Sequence, residues 1–340
     1  MTRQTLLFKK EYQKYEFIQE INKLWNIYAD TEIELNSQNI ELTEASKHII
    51  NSMEIGLKAK YNYNFCLNTT PIKSTYNPNF MLCCISGGKD SVATAIYYKN
   101  LGYDVHLYTV KGINLGYPEE YNAAIRIAKA LQLPIYIDEI KITGKKFYIE
   151  HPLKNQVIAS MALAYCLEND LPTNISFGNY QKEGNNLSNW GVSWTDNYDL
   201  WKEFNIYIKY FIDNAHVFIP FYEEDDALTI LNDNFNIVPL YQSCLSSIRH
   251  RNYLKTHNEE KYNISLFPNR CGSCYKCCIE YIYFCDHDKL EYNKDFYKHC
   301  LEILKKKYEE YTGQKRTFKN WQEVYLAYFK DINKSKYFNE

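Results

Sequence analysis

The chain has 340 residues, of which 46% are apolar and 24% charged, and its formal net charge is −2. This balance is typical of a globular protein with a sizeable core and excludes an intrinsically disordered chain. The near-neutral charge disfavours broad electrostatic binding of nucleic acid, although it is compatible with a local basic patch. The sequence offers neither an apolar run of membrane-spanning length nor a signal-peptide core. We therefore expect a cytoplasmic protein that does not associate with membranes.

Residues 1–78 are expected to form a helical or mixed appendage. Apolar side chains recur at helical spacing in Glu11–Tyr28 and Glu44–Ala59, and Asn36–Glu41 is predicted to be a polar break. No group in this part of the sequence is suited to catalysis. We interpret the appendage as a structural cover or an oligomer contact, which would include a homodimer. The alternative is recognition of a macromolecular partner.

The most informative motif is Ser-Gly-Gly-Lys-Asp-Ser at residues 86–91. It follows an apolar run of strand length, Phe80–Ile85, and precedes an apolar helix face. A strand, a tight glycine turn and a helix aim backbone N–H groups and the positive end of a helix dipole at one point, which favours phosphate binding. Gly87 and Gly88 allow positive φ and a close approach of the anion. The polar side chains that could assist are those of Ser86, Ser91 and Lys89.

Asp90 is the unexpected residue of this motif, because a carboxylate repels a phosphate unless a cation lies between them. It therefore indicates either a bound Mg²⁺ or a hydrogen-bonding role at the helix N-terminus. The motif matches neither the Walker A loop nor the G-x-G-x-x-G fingerprint. The alternative is an ordinary Ser/Gly turn between a strand and a helix.

From Asn79 onward, strand patterns alternate with helix patterns. After Phe80–Ile85, the predicted strands are Val105–Val110, Ile135–Ile140, Asn174–Phe177 and His216–Ile219. The predicted helices after the motif are Tyr121–Leu131, Asn155–Leu167, Asp199–Phe211 and Asp225–Phe235. This alternation predicts a parallel sheet with right-handed crossovers, in which ligands bind beyond the carboxyl ends of the strands. The rule places residues 86–91, 108–112 and 178–196 around one crevice.

Two further segments at this edge are candidates for ligand contacts. Thr109–Gly112 is predicted to be a loop whose backbone holds adenine, and the alternative is an ordinary strand exit. Asn179–Asn197 is a long polar loop, and such loops are usually functional or disordered. Its Trp190, Trp194 and Asp196 could grip a flat heterocycle by stacking and by accepting N–H groups. Equally, the tryptophans could cover the core while the acids are solvated or cap the next helix.

Eleven cysteines in a cytosolic chain indicate metal ligands or free thiols rather than disulfides. Four of them are spaced C-x26-C-x2-C-x2-C, at Cys244, Cys271, Cys274 and Cys277. Two overlapping C-x2-C turns bring thiolates onto one metal, and a distant fourth completes a tetrahedron, which favours structural Zn²⁺. An iron–sulfur cluster or free thiols are the alternatives. Cys278 could replace a neighbour, and the remaining six cysteines are interpreted mainly as small hydrophobes.

The motif at 86–91 resembles the S-G-G-x-D-S pyrophosphate loop of the N-type ATP pyrophosphatases. In that family the loop cradles the β,γ-phosphates of ATP while a substrate oxygen attacks the α-phosphate. Together with the cysteine pattern, the region from Asn79 to Tyr283 is similar to the 7-cyano-7-deazaguanine synthase (QueC) family. The resemblance implies a doubly wound parallel α/β sheet of the adenine nucleotide alpha hydrolase-like class, with a four-cysteine zinc site.

The resemblance also implies roles for individual residues. The loop residues that would bind ATP and Mg²⁺ are Ser86, Gly87, Gly88, Asp90 and Ser91, with Thr109 near the adenine and with Lys89 and Asp90 as catalytic groups. The residues that would contact a deazapurine carboxylate are Asn155, Trp194 and Asp196. Pro152–Asn155 lies where the family has a Pro-Gly-Arg-Asn-like turn, and Thr195–Asp199 resembles its Pro-Asp-x-x-Asp segment. Pro220 and the Asp226 region resemble its Thr-Pro-Leu segment and the helix after it.

The sequence also departs from the family pattern. The spacer Leu245–Arg270 is longer, the Gly and Arg of the Pro-Gly-Arg-Asn-like turn are missing, and residues 1–78 and Asp286–Glu340 are additions. We therefore expect an appendage at 1–78, a nucleotide-binding domain at 79–243, a zinc segment at 244–285 and a helical tail at 286–340. Paralogues of the family also occur beside bacterial anti-phage systems, and the sequence resembles such a divergent member as much as a housekeeping enzyme.

The expected chemistry is ATP-dependent activation of a carboxylate, followed by attack of an amine on the acyl adenylate. Ammonia as the amine gives an amide and then a nitrile, whereas a protein amine gives a conjugate with a protein substrate. One rival is a tRNA-thiolating enzyme, which would need a catalytic cysteine pair in the crevice and a basic face. The other rival is a non-catalytic nucleotide-binding module.

Overall fold

A computed structural model describes residues 5–29, 39–52, 62–67, 70–112, 118–143, 153–181, 198–244, 246, 248–312, 321–326, 328–329 and 337. The strands in these ranges are β1 (Thr5–Leu7), β2 (Asn39–Thr43), β3 (Asn62–Cys66), β4 (Phe80–Cys84), β5 (Asp104–Lys111), β6 (Ile135–Glu139), β7 (Lys141–Thr143), β8 (Asn174–Ser176) and β9 (His216–Phe218). The helices are α1 (Glu16–Ala29), α2 (Ser46–Ser52), α3 (Lys89–Asn100), α4 (Pro118–Leu131), α5 (Lys154–Glu168), α6 (Tyr198–Lys209), α7 (Glu224–Asp233), α8 (Ile248–Tyr262), α9 (Tyr275–Asp286), α10 (Lys294–Thr312) and α11 (Trp321–Leu326). Short 3₁₀ turns occur at Tyr12–Lys14 and Phe235–Ile237.

Five strands form the central sheet, in the order β6-β5-β4-β8-β9. All four neighbouring pairs are parallel. The chain starts in the middle at β4, moves outward to β6, and then returns to the other side of β4 through β8 and β9. The direction of winding therefore reverses between β4 and β8, and such a reversal opens a crevice at the carboxyl edge of a sheet.

Both faces of this sheet are covered by helices, so the predicted doubly wound α/β fold is confirmed. Strand β4 is buried throughout, which explains its uninterrupted apolar sequence. Its side chains alternate between two cores: Phe80, Leu82 and Cys84 face the first, whereas Met81, Cys83 and Ile85 face the second. Helices α1, α5 and α6 build the first core, and α3, α4, α7, α9 and α10 build the second.

The predicted elements of the central region agree closely with the observed ones, with one correction. Strand β5 continues to Lys111, where its last pair is with Glu139 of β6, so the prediction of a loop at Thr109–Gly112 was wrong as far as Lys111. The sequence pattern loses its apolar character before the hydrogen-bonded ladder ends, because the ladder uses backbone groups that every residue carries.

The N-terminal segment packs into the first core. Strand β1 pairs antiparallel with β7, and α1 lies against α5. The predicted polar break at Asn36–Glu41 was wrong for Asn39–Glu41, because these residues belong to β2, which pairs in parallel with the distant β3. The predicted helix Glu44–Ala59 is observed as α2, and residues 53–61 lie outside the described ranges. The boundaries proposed for the domains stay a prediction.

The C-terminal part is helical where it is described, and it packs on the second core. Helix α8 occupies the long spacer between the first two cysteines of the predicted metal site. The tail helices α10 and α11 contact each other, and the Tyr297 and Tyr325 hydroxyls donate to the buried carboxylate of Asp286 at the end of α9. Among the described helices, none is both long and apolar enough to cross a membrane.

A buried carboxylate fastens the N-terminal segment to the sheet. Asp138 of β6 is 2% exposed, and its Oδ2 accepts hydrogen bonds from the Tyr12 hydroxyl at 2.6 Å and the Tyr108 hydroxyl at 2.9 Å. Its Oδ1 lies 2.7 Å from the Lys9 ammonium. Two of these partners come from the N-terminal segment and one comes from the neighbouring strand, so a single side chain holds both layers.

We expect Asp138→Ala to lower the free energy of unfolding by about 3 kcal/mol, because it leaves the Tyr12 and Tyr108 hydroxyls buried without their acceptor. Urea unfolding followed by circular dichroism measures the change. The matched control is Asp104→Ala on β5, whose side chain is 66% exposed, and it should cost less than about 0.5 kcal/mol. Equal losses in the two variants would contradict the assigned role of Asp138.

Candidate functional site

The motif at 86–91 lies at the carboxyl end of β4, at the point where the winding of the sheet reverses. The turn is joined to the sheet by a hydrogen bond from the Ile85 N–H to the Tyr108 carbonyl at 2.8 Å. Helix α3 begins at Lys89 with Gly88 as its N-cap. Gly178, just after β8, lies so close that a Cβ there would be 2.4 Å from the backbone of Asp90. The segments that follow β4 and β8 thus meet at one place.

Gly87 is required at its position for two independent reasons. Its φ is +82°, in the left-handed region that disfavours residues with a side chain. A Cβ at this position would also lie 2.6 Å from Ala123 Cβ and 2.7 Å from the Ala124 backbone nitrogen of α4. The backbone of α4 therefore limits where the turn can lie, and only glycine can adopt this conformation at position 87 without strain.

The two serines of the motif brace the turn. Ser86 Oγ accepts the Gly88 N–H at 3.3 Å and lies 3.4 Å from Ser91 Oγ. The Ser91 hydroxyl donates to the Gly88 carbonyl at 3.0 Å. Both hydroxyls sit beside the start of α3, where backbone N–H groups and the helix dipole favour an anion.

The Lys89 side chain turns inward and is only 2% exposed. Its Nζ lies 2.8 Å from Glu224 Oε1, donates to the Tyr180 hydroxyl at 2.9 Å, and forms a close ion pair with Asp90. The Tyr180 hydroxyl in turn donates to the Asp90 carboxylate. The charge that the sequence suggested for phosphate binding is thus neutralised by protein carboxylates, and the catalytic role of Lys89 stays a prediction.

The ionisation of this cluster follows from its burial and its neighbours. Burial disfavours the ammonium, but Asp90 and Glu224 outweigh it and hold the pKa of Lys89 well above its ordinary value. Burial would raise the pKa of Asp90, but the Lys89 and Lys276 ammonium groups lower it below the ordinary value. Burial and the Asp90 charge raise the pKa of Tyr180, so its hydroxyl stays protonated and continues to donate. At neutral pH the cluster therefore contains charged Lys89 and charged Asp90.

Sequence reasoning had missed Tyr180, Glu224 and Lys276 as members of this cluster. The signal for Glu224 was present, because it belongs to the acidic run at the start of α7, where a capping box joins Glu223 and Asp226. That run is explained by helix capping alone, so nothing in the sequence singled out Glu224 as the partner of a loop lysine.

The predicted adenine segment is placed differently from the expectation. Thr109 is 5% exposed and is in register with Ile137 of β6. Backbone groups of successive strand residues point to opposite neighbours, so those of Thr109 face β6 and those of Val110 face the side of β4. Strand β4 ends at Cys84, which pairs with Tyr108, two residues before Val110. Val110 is thus the residue of this segment whose backbone N–H and C=O face the turn, and a role of Thr109 in binding adenine stays a prediction.

The predicted substrate residues are only partly described. Asn155 lies in the first turn of α5, which begins at the carboxyl edge of the sheet, and its side chain is half-buried. Trp194 and Asp196 lie outside the described residues, as does Trp190. The contacts predicted for these residues with a deazapurine stay predictions.

The four cysteines of the predicted metal site come together. The Sγ atoms of Cys244, Cys271, Cys274 and Cys277 all lie within 4.8 Å of one another. The Sγ–Sγ separations are 3.4 Å for Cys274–Cys277, 3.9 Å for Cys271–Cys277 and 4.0 Å for Cys244–Cys274. Four thiolates on one Zn²⁺ at a Zn–S distance of about 2.3 Å would be about 3.8 Å apart. The donor set therefore fits a single tetrahedral ion.

The same distances discriminate between the alternatives for this site. Thiolates bound to separate irons of a cubane cluster are spread apart by the cluster itself, so close mutual contacts of all four sulfurs fit one ion better. Hydrogen bonds among the four thiols lower the pKa of Cys271 and raise the pKa of Cys274. Cys278 stands outside the group, and its thiol points to the Gly272 carbonyl at 3.9 Å.

The chain matches no known family description and no curated protein sequence. Among solved structures it is similar to the NMN synthetase of Francisella tularensis, with 10% identity, a TM-score of 0.31, and coverage of 82% of this chain and 98% of that one. It is also similar to the U34-tRNA thiolase NcsA of Methanococcus maripaludis, solved with its 4Fe-4S cluster, with 14% identity, a TM-score of 0.30, and coverage of 64% and 72%. A predicted subunit of tRNA methyltransferase from Methanocaldococcus jannaschii has 15% identity, a TM-score of 0.28, and coverage of 53% and 88%.

Scores at this level leave the assignment to the chain's own residues. Those residues define a doubly wound parallel α/β protein with a tight glycine turn at the reversal point of its sheet, a geometry that favours anions. A second, compact four-cysteine site suited to one metal ion lies beyond α7 in the chain.

We expect Gly87→Ala to lower the free energy of unfolding by about 2–4 kcal/mol, since it combines left-handed strain with a collision against α4. Gly102→Ala is the matched control, because Gly102 has a φ of +81° but an added Cβ there would meet nothing within 4 Å. It should cost only about 1 kcal/mol. Binding of inorganic pyrophosphate, measured by calorimetry, should be lost in the Gly87 variant alone. Intact binding in that variant would contradict a tightly held turn.

We expect purified protein to carry about one Zn²⁺ per chain, measured by inductively coupled plasma mass spectrometry. Cys274→Ser should remove most of this metal, because it deletes one of four ligands. Cys278→Ser should retain it, because that buried thiol lies outside the ligand group. Several irons per chain in the wild-type protein would overturn the single-ion interpretation.

Proposed function

We propose that this protein is an ATP-dependent carboxylate-activating enzyme that releases pyrophosphate. The observation that carries the proposal is the turn at Ser86–Ser91, held between β4 and α3 at the reversal point of the sheet, with Gly87 in a left-handed conformation. Its resemblance to the pyrophosphate loop of the N-type ATP pyrophosphatases supplies the nucleotide and the bond that is cleaved.

The reaction would proceed in two steps. A carboxylate oxygen of the substrate attacks the α-phosphorus of ATP. The bond between this phosphorus and the oxygen that bridges to the β-phosphate breaks, which gives an acyl adenylate and releases pyrophosphate. An amine then attacks the acyl carbon, and AMP leaves with the bonding electron pair. Most catalysis in such a reaction comes from placed dipoles and charges, so no covalent nucleophile is needed.

Individual residues would contribute in different ways. The Gly88 and Lys89 N–H groups donate to Ser86 Oγ and Ser243 Oγ, and the N–H groups that follow at the start of α3 would bind the β- and γ-phosphates. The Asp90 side chain, 23% exposed and negatively charged, is the group that could hold Mg²⁺, which would offset the charge of the leaving pyrophosphate. The Val110 backbone, facing the turn, could read the edge of adenine.

For the substrate, we propose a 7-carboxy-7-deazaguanine-like acid. This part rests on the resemblance to the 7-cyano-7-deazaguanine synthase family and on Asn155, which lies at the same edge of the sheet as the turn. With ammonia the product is an amide, which a second activation can dehydrate to a nitrile. With an amine on a partner protein, as in an anti-phage setting, the product is a conjugate.

The cysteines weigh against the rival function of tRNA thiolation, for which a catalytic cysteine pair in the crevice is required. All eleven cysteines are described, and outside the four grouped thiols only Cys66 is exposed. Cys83 and Cys84 lie nearest the turn but point into the two cores. Burial raises the pKa of the Cys83 thiol to about 12, so it is a poor nucleophile at neutral pH.

We expect pyrophosphate release from Mg²⁺·ATP that depends on 7-carboxy-7-deazaguanine. Asp90→Asn should lower kcat/KM about 100-fold, because it removes the charge that would hold the cation. Asp104→Asn, on the exposed start of β5, is the control and should leave the rate unchanged. An enzyme-coupled pyrophosphate assay gives the rates, and calorimetry gives the affinity for ATP.

The outcomes separate the candidate functions. ATP binding without acid-dependent release would contradict carboxylate activation and favour a nucleotide-binding module. Release that requires tRNA instead of the acid would favour the thiolation class. When the acid is turned over, mass spectrometry distinguishes a free amide or nitrile from an ATP-dependent mass gain on a partner protein, and a free nitrile alone would exclude conjugation.

A further inference from the structure

Three consecutive residues connect the anion-binding turn with the four-cysteine site. The Gln242 N–H donates to the Gly87 carbonyl at 2.7 Å, and Ser243 Oγ accepts the Lys89 N–H at 2.9 Å. The next residue, Cys244, is one of the four grouped thiols. All three residues are buried. A shift in the position of Cys244 would therefore reach the turn directly through the two residues that precede it in the chain, Gln242 and Ser243.

Ser243 binds a backbone N–H group at the start of α3. The Lys89 N–H belongs to the first residue of α3, one of the helix-end donors that have no partner within the helix. Ser243 acts as a cap supplied from outside the helix, and the motif provides no such cap itself, because Gly88 at the N-cap position has no side chain. The hydrogen bond from Gln242 holds Gly87, the residue with the left-handed conformation.

The other side of the four-cysteine site is anchored to the same segment. Arg270, next to Cys271, is buried, stacks on the ring of Tyr241 at 4.4 Å, and donates to the Tyr241 carbonyl at 3.2 Å. It also pairs with the buried carboxylate of Glu280 on α9. Arg270 thus contacts the segment Tyr241–Cys244 at its first residue, and the four-cysteine group includes its last residue.

A cation bound by the four thiols would tie the end of this segment to the other three cysteines. Thiolates 3.4–4.0 Å apart repel one another, and protonated thiols form only weak hydrogen bonds. Cys244 is the distant member of the set, 27 positions before Cys271 in the chain, so it lies outside the C-x2-C turns that join the other three. Of the four ligands, its position would depend most on the metal.

We propose that metal binding at the four-cysteine site organises the anion-binding turn, with Gln242 and Ser243 as the positioning residues that transmit it. The metal is then a determinant of nucleotide affinity as well as of stability. This inference rests on the proposed ATP binding at the turn. By linkage, the nucleotide must strengthen metal binding by the same factor by which the metal strengthens nucleotide binding.

The first experiment measures the affinity of Mg²⁺·ATP for zinc-loaded and zinc-depleted protein by calorimetry. Zinc removal should weaken ATP binding about tenfold in the wild-type chain. In Ser243→Ala the zinc-loaded protein should already bind ATP more weakly, and the ratio between the two forms should fall to about threefold, because only the Gln242 contact remains. Ser273→Ala is the control, since Ser273 Oγ binds Asn258 inside the zinc segment and does not touch the turn.

A second measurement uses only the zinc-loaded protein, so it decides the matter even if depletion unfolds the chain. Zinc transfer to a coloured chelator is followed with and without ATP. ATP should slow the transfer in the wild type and in Ser273→Ala, and it should have little effect in Ser243→Ala.

The two proposals fail in different ways. Absence of ATP binding to the zinc-loaded wild type would remove the proposed function itself. ATP binding that is equally tight with and without zinc, together with zinc transfer that ATP does not slow, would overturn the coupling and leave carboxylate activation standing.

Discussion

The candidate site depends on one close approach, that of the α4 backbone to the Cα atom of Gly87. Because no side chain separates them, the turn after β4 is held in a left-handed conformation before any ligand arrives. A second close approach, of Gly178 to the backbone of Asp90, brings the segment after β8 against the same turn. The second contact lies where the winding of the sheet reverses between these two strands.

Beside the turn lies a cluster of charged groups, in which Lys89 is buried and Asp90 and Glu224 are partly exposed. Lys89 and Asp90 are neighbours in sequence and pair with each other, and Glu224 of α7 and Lys276 of α9 add further charges around them. Such a cluster is costly to desolvate and adds little net stability, so its value lies in fixing one arrangement of the charged groups. It places a negative carboxylate beside the turn proposed to bind phosphate, where a cation would bridge the two charges.

The segments outside the central sheet are integrated with it. The N-terminal segment reaches the sheet through Asp138, and the C-terminal helices reach α9 through Asp286. Helix α8 lies beside the grouped cysteines, where Asn258 donates to the Cys271 carbonyl at 2.8 Å. In each case a buried polar residue joins the segment to the element it covers. Hydrogen bonds therefore define the position of each segment, in addition to the apolar packing.

By itself, the sequence determined the alternation of strands and helices, the turn at 86–91 and the identity of the four grouped cysteines. Most of these features are local, because apolar periodicity, glycine turns and C-x2-C spacing act over a few residues, whereas Cys244 was assigned as the fourth thiolate that a tetrahedral site needs. Only the tertiary structure decided the pairing of β2 with β3, the extension of β5 to Lys111, the burial of Lys89 against Glu224, and the contacts of Gln242 and Ser243 with the turn. Each of these joins residues that are distant in the chain through backbone groups or single polar atoms, which leave no periodic trace in a sequence.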